Sequence, residues 1–232
     1  MHLAVDRNLP KCSVVACAIY FDAIHSLRHR DFVHHYSQEQ NGVTSVNYLH
    51  RTLCSSAKWK QVVQQYALPW TLEQIELGGE VLEIGPGYGA ATEILLQQVR
   101  HLLCVESDRN LADRLFRKFN GDVAVRCEDA TAMSLQSESF EGAVCFTMLH
   151  HIESTELQNK LFAEVFRVLR PGGVFAGTDS LRGRFTKVLH LFDTLVLVDP
   201  ETLPQRLAAA GFEDVHVNVN PYAFRFRAWK PK

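Results

Sequence analysis

Residues 80–91 read E-V-L-E-I-G-P-G-Y-G-A-A, and this stretch limits the chain to few folds. Val81, Leu82 and Ile84 make a short apolar run with β-branched members, the pattern of a strand buried on both faces. Gly85, Gly87 and Gly89 follow at once. From Ala90 to Val99 the apolar residues recur at helical spacing. Strand, glycine turn and helix in that order form the first βα unit of a nucleotide-binding α/β sheet. Glycine accepts positive φ, and its missing Cβ lets a ligand lie against the backbone. The helix start adds N–H groups without partners and the positive end of the helix dipole.

The same unit then recurs. Residues 101–106 (H-L-L-C-V-E) are a second buried strand, closed by Glu106. A helix over 111–119 leads to a third short strand, 123–127, and then to Glu128-Asp129-Ala130. Residues 140–146 are the fourth strand, left through 147–151. The helical spacing over 157–169 is stopped by Arg170-Pro171-Gly172-Gly173, and 174–179 is the fifth strand. Strands alternating with helices predict a parallel sheet with right-handed crossovers. The end of the chain differs. After a helix over 203–210, the runs 215–219 and 222–229 are separated only by Asn220-Pro221. So short a connection makes the two strands antiparallel. The expected fold is α/β: a doubly wound, Rossmann-like, mostly parallel seven-stranded sheet with a C-terminal antiparallel hairpin and helices on both faces. Arg225 and Arg227 alternate with Phe224 and Phe226, which predicts an edge strand with one wet face. Interleaved basic and aromatic residues also suit single-stranded RNA.

Ahead of the glycine turn, apolar residues at 46, 49, 53, 59, 62, 63 and 66 predict a helix. Pro69 opens a second short helix running to about Leu77. The organisation expected is an N-terminal extension (1–44), a helical cap (45–78) over the open end of the sheet, and the α/β domain (79–232). Within the extension, the apolar run 14–21 is too short to cross a bilayer. Lys11 and Ala16-Cys17-Ala18 faintly suggest a signal peptide, but the apolar stretch before the cleavage point is only Val14-Val15. His25 and His29 are i,i+4, yet no carboxylate or cysteine completes a metal site, so a solvated helix face and no metal are expected.

The formal net charge of −2 gives no bulk attraction to nucleic acid. The six cysteines form neither a CxxC pair nor a zinc spacing, which fits a reducing, cytoplasmic compartment. Neither nucleic acid nor membrane is an expected partner.

Taken in order, Val81-Leu82-Glu83-Ile84-Gly85-Pro86-Gly87-Tyr88-Gly89, Val105-Glu106, Glu128-Asp129-Ala130, Phe140-Glu141-Gly142-Ala143-Val144, Leu149-His150-His151 and Arg167-Val168-Leu169-Arg170-Pro171-Gly172-Gly173 resemble the class I S-adenosylmethionine-dependent methyltransferases of the small-molecule type. The resemblance covers residues 79–230. It implies S-adenosylmethionine as cofactor and a small-molecule methyl acceptor. It further implies that Glu83 lies near the methionine amino group, and that the loop of Gly85, Pro86, Gly87 and Gly89 passes under the methionine and ribose. Glu106 would take the ribose hydroxyls, Asp129 and Ala130 the adenine, and Phe146 and Thr147 the methionine side. Glu141 departs from the family, which more often has Asp at that strand start, where the acid is usually structural.

The residues support such a ligand independently. S-adenosylmethionine carries a sulfonium, an amino-acid head and a ribose, but no phosphate. Its site should be lined by acids, and Glu83, Glu106 and Asp129 stand at three successive strand ends, the edge where ligands bind. No G-K-[ST] follows the glycines, against a phosphate-cradling loop. The alternatives are an NAD(P)-dependent oxidoreductase, from Gly85, Gly87 and Ala90 read as G-x-G-x-x-A with Glu106 as ribose acid, and a cofactor-binding module without catalysis. Methyl transfer would proceed by in-line displacement. His150 and His151, after the fourth strand, are the candidates for a general base where the acceptor must lose a proton; capping or packing the next helix is their structural alternative. In the segment 181–198, Arg182, Arg184 and Lys187 could meet an acidic acceptor, although a solvated helix face is the commoner use. Phe185, Leu189, Phe192, Leu195 and Val196 are expected to serve a core.

Overall fold

In the computed structural model the residues described are 4–5, 48–183 and 194–232. The histidine pair His25 and His29, the apolar run 14–21 and most of 181–193 (Arg184, Phe185, Lys187, Leu189 and Phe192 included) lie outside the described residues. Eight strands pair into one sheet: β1 (Ala4–Val5), β2 (Glu80–Ile84), β3 (His101–Glu106), β4 (Ala124–Cys127), β5 (Phe140–Phe146), β6 (Leu169–Ser180), β7 (Glu213–Val219) and β8 (Ala223–Trp229). Their order is β1-β7-β8-β6-β5-β2-β3-β4. The β4-β3-β2-β5-β6 ladder is parallel throughout, while β8 runs antiparallel to both β6 and β7. The seven strands read from the sequence form the sheet, and the two residues of β1 add an eighth, parallel to β7.

The helices are α1 (Tyr48–Cys54), α2 (Ala57–Val62), α3 (Leu68–Thr71), α4 (Thr92–Gln98), α5 (Arg109–Phe119), α6 (Thr155–Val168) and α7 (Leu203–Ala209). Strand alternation divides the core between the two sheet faces. Leu82, Ile84, Ala143, Cys145 and Phe175 pack on one face with α6, α7 and the aromatic residues of β8. Val81, Leu102, Cys104, Val144 and Phe146 pack on the other with α4, α5 and the leading helices. Glu83 and Glu106 share parity with Val81 and Cys104, so the pleat turns both acids to the second face. Asp108 caps α5, accepting from Asn110 N and Leu111 N, and Ser154 caps α6, accepting from Leu157 N.

The leading helices differ from expectation. The helical rhythm over 46–66 is interrupted because Ser56 starts a new helix, its hydroxyl accepting from Trp59 N. A π-turn over Val63–Ala67 follows, and Leu68 N donates back to Val63 O. Pro69 has no N–H to give, so the widened turn sits where the ordinary bond would fail. The second helix ends at Thr71, well short of Leu77, and Gln74 lies at φ 60°. β8 is also not an edge strand. It inserts between β6 and β7, so Arg225 faces protein. The Arg225 guanidinium reaches Trp70 O and, at 2.8 Å, Glu73 Oε2, and it lies over the Trp70 ring. Its packing pins the leading helices to the sheet. On their other side Gln64 donates to Ala90 O at 3.0 Å and Lys60 pairs with Glu93 at 2.5 Å. Glu141 is structural: its carboxylate accepts from Gly79 N and, at 3.1 Å, from Glu80 N, fixing the entry to β2.

Candidate cofactor site

A cleft of about 710 Å³ opens at the C-terminal ends of β2, β3 and β5, beneath α1 and beside α5. Glu83, Gly85, Pro86, Gly87, Glu106, Phe146, Thr147 and His151 all line it. Gly89, Asp129, Ala130 and His150 do not belong to its lining.

Two glycines of the loop have different uses. Gly87, at φ 56°, has open space where a Cβ would stand. Gly89, at φ 74°, would drive a Cβ to 2.8 Å from Leu115 and 3.0 Å from Phe119. The first admits a ligand to the backbone; the second lets the loop seat on α5.

Glu106 is tied to that loop. Its Oε2 accepts from Gly87 N at 3.0 Å and its Oε1 from Asp108 N at 3.0 Å. A carboxylate has about four acceptor sites, so each oxygen keeps capacity for one more donor, as a pair of vicinal hydroxyls requires. Burial pushes its pKa up, against the pull of those backbone donors. Glu83 lies deeper, 2 % exposed. Its Oε2 accepts from Thr92 Oγ1 at 2.7 Å and from Cys104 Sγ at 3.5 Å. Burial raises its pKa to about 7, and the Thr92 and Cys104 bonds offset only part of this. A carboxyl so placed gains from any cation that enters beside it.

Thr147 follows β5 at φ 52°, an unusual setting for a β-branched residue, and its N–H donates to Thr178 O at 2.8 Å. Strain of this kind is commonly retained where a site needs it. Beyond it, the turn Leu149–His151 carries the two histidines to different places. His150 is 3 % exposed, with its Nδ1 2.5 Å from Asp179 Oδ1. His151 faces the cleft, its ring 4.2 Å from that of His150 and 4.9 Å from that of His50. Asp129 is exposed and accepts from Thr131 N at 2.8 Å, while Ala130 is buried.

The cleft also takes residues that sequence reasoning did not single out. His50 and Arg51 come from α1, Tyr88 from the glycine loop, and Arg114 and Arg117 from α5. The polar face of an amphipathic helix carries no local mark that it borders a cleft. Only the expectation that the leading helices cover the sheet's open end pointed to α1. Among the described residues no group of three or more His, Cys, Asp or Glu could hold a metal, and no helix is long and apolar enough to cross a membrane.

Comparison with known proteins agrees with this layout. Residues 82–177 match the family described as methyltransferase domain. The chain is 30% identical over 141 residues to a probable S-adenosylmethionine-dependent methyltransferase of Mycolicibacterium smegmatis, covering 59% of this chain and 52% of that protein. It is 29% identical over 92 residues to ribosomal RNA small subunit methyltransferase A of Fusobacterium nucleatum, covering 39% of this chain and 35% of that protein. The chain thus spans from about a third to about half the length of these relatives. Among solved structures, Haemonchus contortus phosphoethanolamine N-methyltransferase 2, in complex with phosphomonomethylethanolamine and S-adenosylhomocysteine, superposes with a TM-score of 0.61 at 17% identity, covering 75% of this chain and 53% of that one. The fold is therefore one shared with S-adenosylmethionine-dependent methyltransferases of known structure, and residues 82–177 are similar to a methyltransferase domain.

Proposed function

We propose that this chain, built on a methyltransferase domain, binds S-adenosylmethionine in the cleft at the ends of β2, β3 and β5 and transfers its methyl group to a small-molecule acceptor. The observation that carries the reading is the pair of buried acids, Glu83 and Glu106, facing one cleft beside the open backbone of Gly87.

Glu83 would hold the amino group of the methionine head, and Glu106 the two ribose hydroxyls. Gly85, Pro86 and Gly87 would lie along the methionine and ribose, with Phe146 and Thr147 on the methionine side. Asp129 and Ala130 would serve the adenine from the end of β4, next in the sheet after Glu106; Gly89 acts only by shaping the loop. The cofactor, when bound, supplies a methyl group on a sulfonium open to in-line attack by an acceptor O, N, S or C atom. With the leaving group already activated, the protein's work is alignment and exclusion of water. His151 is the group placed to accept a proton from an acceptor that must lose one. His150, buried on Asp179, acts as its support.

The formal net charge of −2 favours a small acceptor over a nucleic acid, and the lack of a CxxC pair or zinc spacing among the six cysteines suits a cytoplasmic setting. Incubation with methyl-labelled cofactor and a panel of small acceptors tests the reading. Label transfer with release of S-adenosylhomocysteine supports it, and transfer only to RNA would move the acceptor to another class.

A further inference from the structure

The cleft is lined by groups of both charges: Glu83 and Glu106 from the strand ends, and Arg51 from α1 with Arg114 and Arg117 from α5. No ion pair among the described residues involves any of the three arginines. Arg117 Nε donates to Asp113 O at 3.1 Å, which leaves Arg51 and Arg114 without a carboxylate among the described residues, and a planar guanidinium beside a cleft suits an incoming anion.

Tyr88 lines the same cleft, and Arg114 Cζ stands 5.1 Å from its ring centroid. Burial raises the pKa of the Tyr88 hydroxyl, and the charges of Arg51 and Arg114 each pull it back. Neighbouring cations are otherwise engaged: Lys118 reaches Tyr88 O at 2.9 Å and Glu93 at 2.8 Å, and Lys60 is held by Glu93.

We infer that Arg51, the Tyr88 hydroxyl and Arg114 form a cradle for an anionic group, phosphate or carboxylate, of the methyl acceptor. The inference rests on the methyl-transfer reading above. The cofactor brings one carboxylate of its own, which needs one counter-charge, whereas three arginines line the cleft. The surplus is spent on the second substrate. Arginine suits the task because its planar fork pairs with either anion through two parallel bonds. A polyanion is disfavoured, since Glu83, Glu106 and Asp108 share the cleft.

The test titrates inorganic phosphate, and in a second arm succinate, into the full chain saturated with S-adenosylhomocysteine, with ionic strength held constant by sodium chloride. Heat of binding is the readout. The expected result is saturable binding of at least one of the two anions, weakened tenfold or more in the Arg51→Gln/Arg114→Gln variant. S-adenosylhomocysteine affinity should stay within twofold of the parent, and the distant Arg126→Gln/Lys232→Gln variant, with the same charge loss, should bind the anion as the parent does. Anion binding no stronger than that of chloride, or equal in the parent and the Arg51→Gln/Arg114→Gln variant, overturns the cradle. So does a tenfold loss of S-adenosylhomocysteine affinity with anion binding unmoved, which would give the arginines to the cofactor. A short RNA oligonucleotide that binds far more tightly than either anion through Arg51 and Arg114 overturns the small-acceptor form. If S-adenosylhomocysteine fails to bind the parent, the methyl-transfer reading falls by itself, and the anion titration without it still decides the cradle.

Discussion

His150 Nδ1 lies 2.5 Å from Asp179 Oδ1, and the His150 amide donates to the other oxygen of the same carboxylate at 3.0 Å. Asp179 is 1 % exposed. One carboxylate at the end of β6 therefore holds both backbone and ring of the residue before His151. The turn is also tied elsewhere, with Val196 N donating to His150 O and Gln158 to Leu149 O and Val196 O. Removing one partner of a buried hydrogen-bonded pair strands the other. Asp179→Ala should cost about 3–5 kcal/mol in urea unfolding. A loss below about 1 kcal/mol would show that the pair does not hold the turn.

His151 should then be separable from that scaffold. His151→Ala is expected to lower turnover by about 100-fold where the acceptor must lose a proton. Affinity for S-adenosylhomocysteine should stay within about twofold. His150→Ala should lower turnover as well, with a loss of stability that His151→Ala lacks. Unchanged turnover in both variants would reject the assignment.

Glu83 gives a pH signature in two measurements. Its folded-state pKa of about 7 lies above the ordinary 4.5, because burial penalises the charge. Between those values the folded, ligand-free protein keeps a proton that the unfolded chain has lost. Stability should thus fall as pH rises from about 4.5 to 7, by up to about 3 kcal/mol. Glu83→Gln should flatten this dependence, read from denaturant midpoints across the window. Cofactor binding runs the other way. A cationic amino group needs the ionised carboxylate, so affinity should drop by up to about tenfold per pH unit below 7 and level off above it. An affinity flat from pH 5.5 to 8 would remove Glu83 from contact with that group.

Glu93 should act on the leading helices at lower pH. Burial pushes its pKa up, but the bonds from Lys118, Lys60 and Gln64 outweigh this and hold it at about 2. A lowered acid contributes stability that is complete above about 4.5 and is lost as pH falls toward 2. Its lysine partners are a third or more exposed or close to it, so the worth is modest, about 1–2 kcal/mol. Glu93→Gln should therefore speed amide exchange over α2 and the π-turn at pH 7. Equal exchange in both proteins would contradict the role.

Much of the sheet was legible because each parallel strand is an apolar run bounded by a glycine, an acid or a turn. Where the carboxylates of Glu83, Glu106 and Asp129 point was not legible, because local sequence does not tell an acid that lines a cleft from one that bonds its own turn. The different surroundings of His150 and His151 were hidden too, because the partner of His150 is Asp179, twenty-nine residues along the chain. β8 was misplaced as an edge strand since nothing within it marks which side its neighbour takes. Trp70 and Glu73, which receive Arg225, lie on elements remote in sequence.

The central claim is that one cleft lays a cationic nucleoside across Glu83 and Glu106. Calorimetric titration of the full chain with S-adenosylmethionine, and separately with NADH, tests it most directly, repeated on Glu106→Ala. The expected result is one site for S-adenosylmethionine, none for NADH, and a loss of at least tenfold in Glu106→Ala from the missing ribose bonds. Binding of NADH in preference, or S-adenosylmethionine binding indifferent to Glu106→Ala, would contradict it.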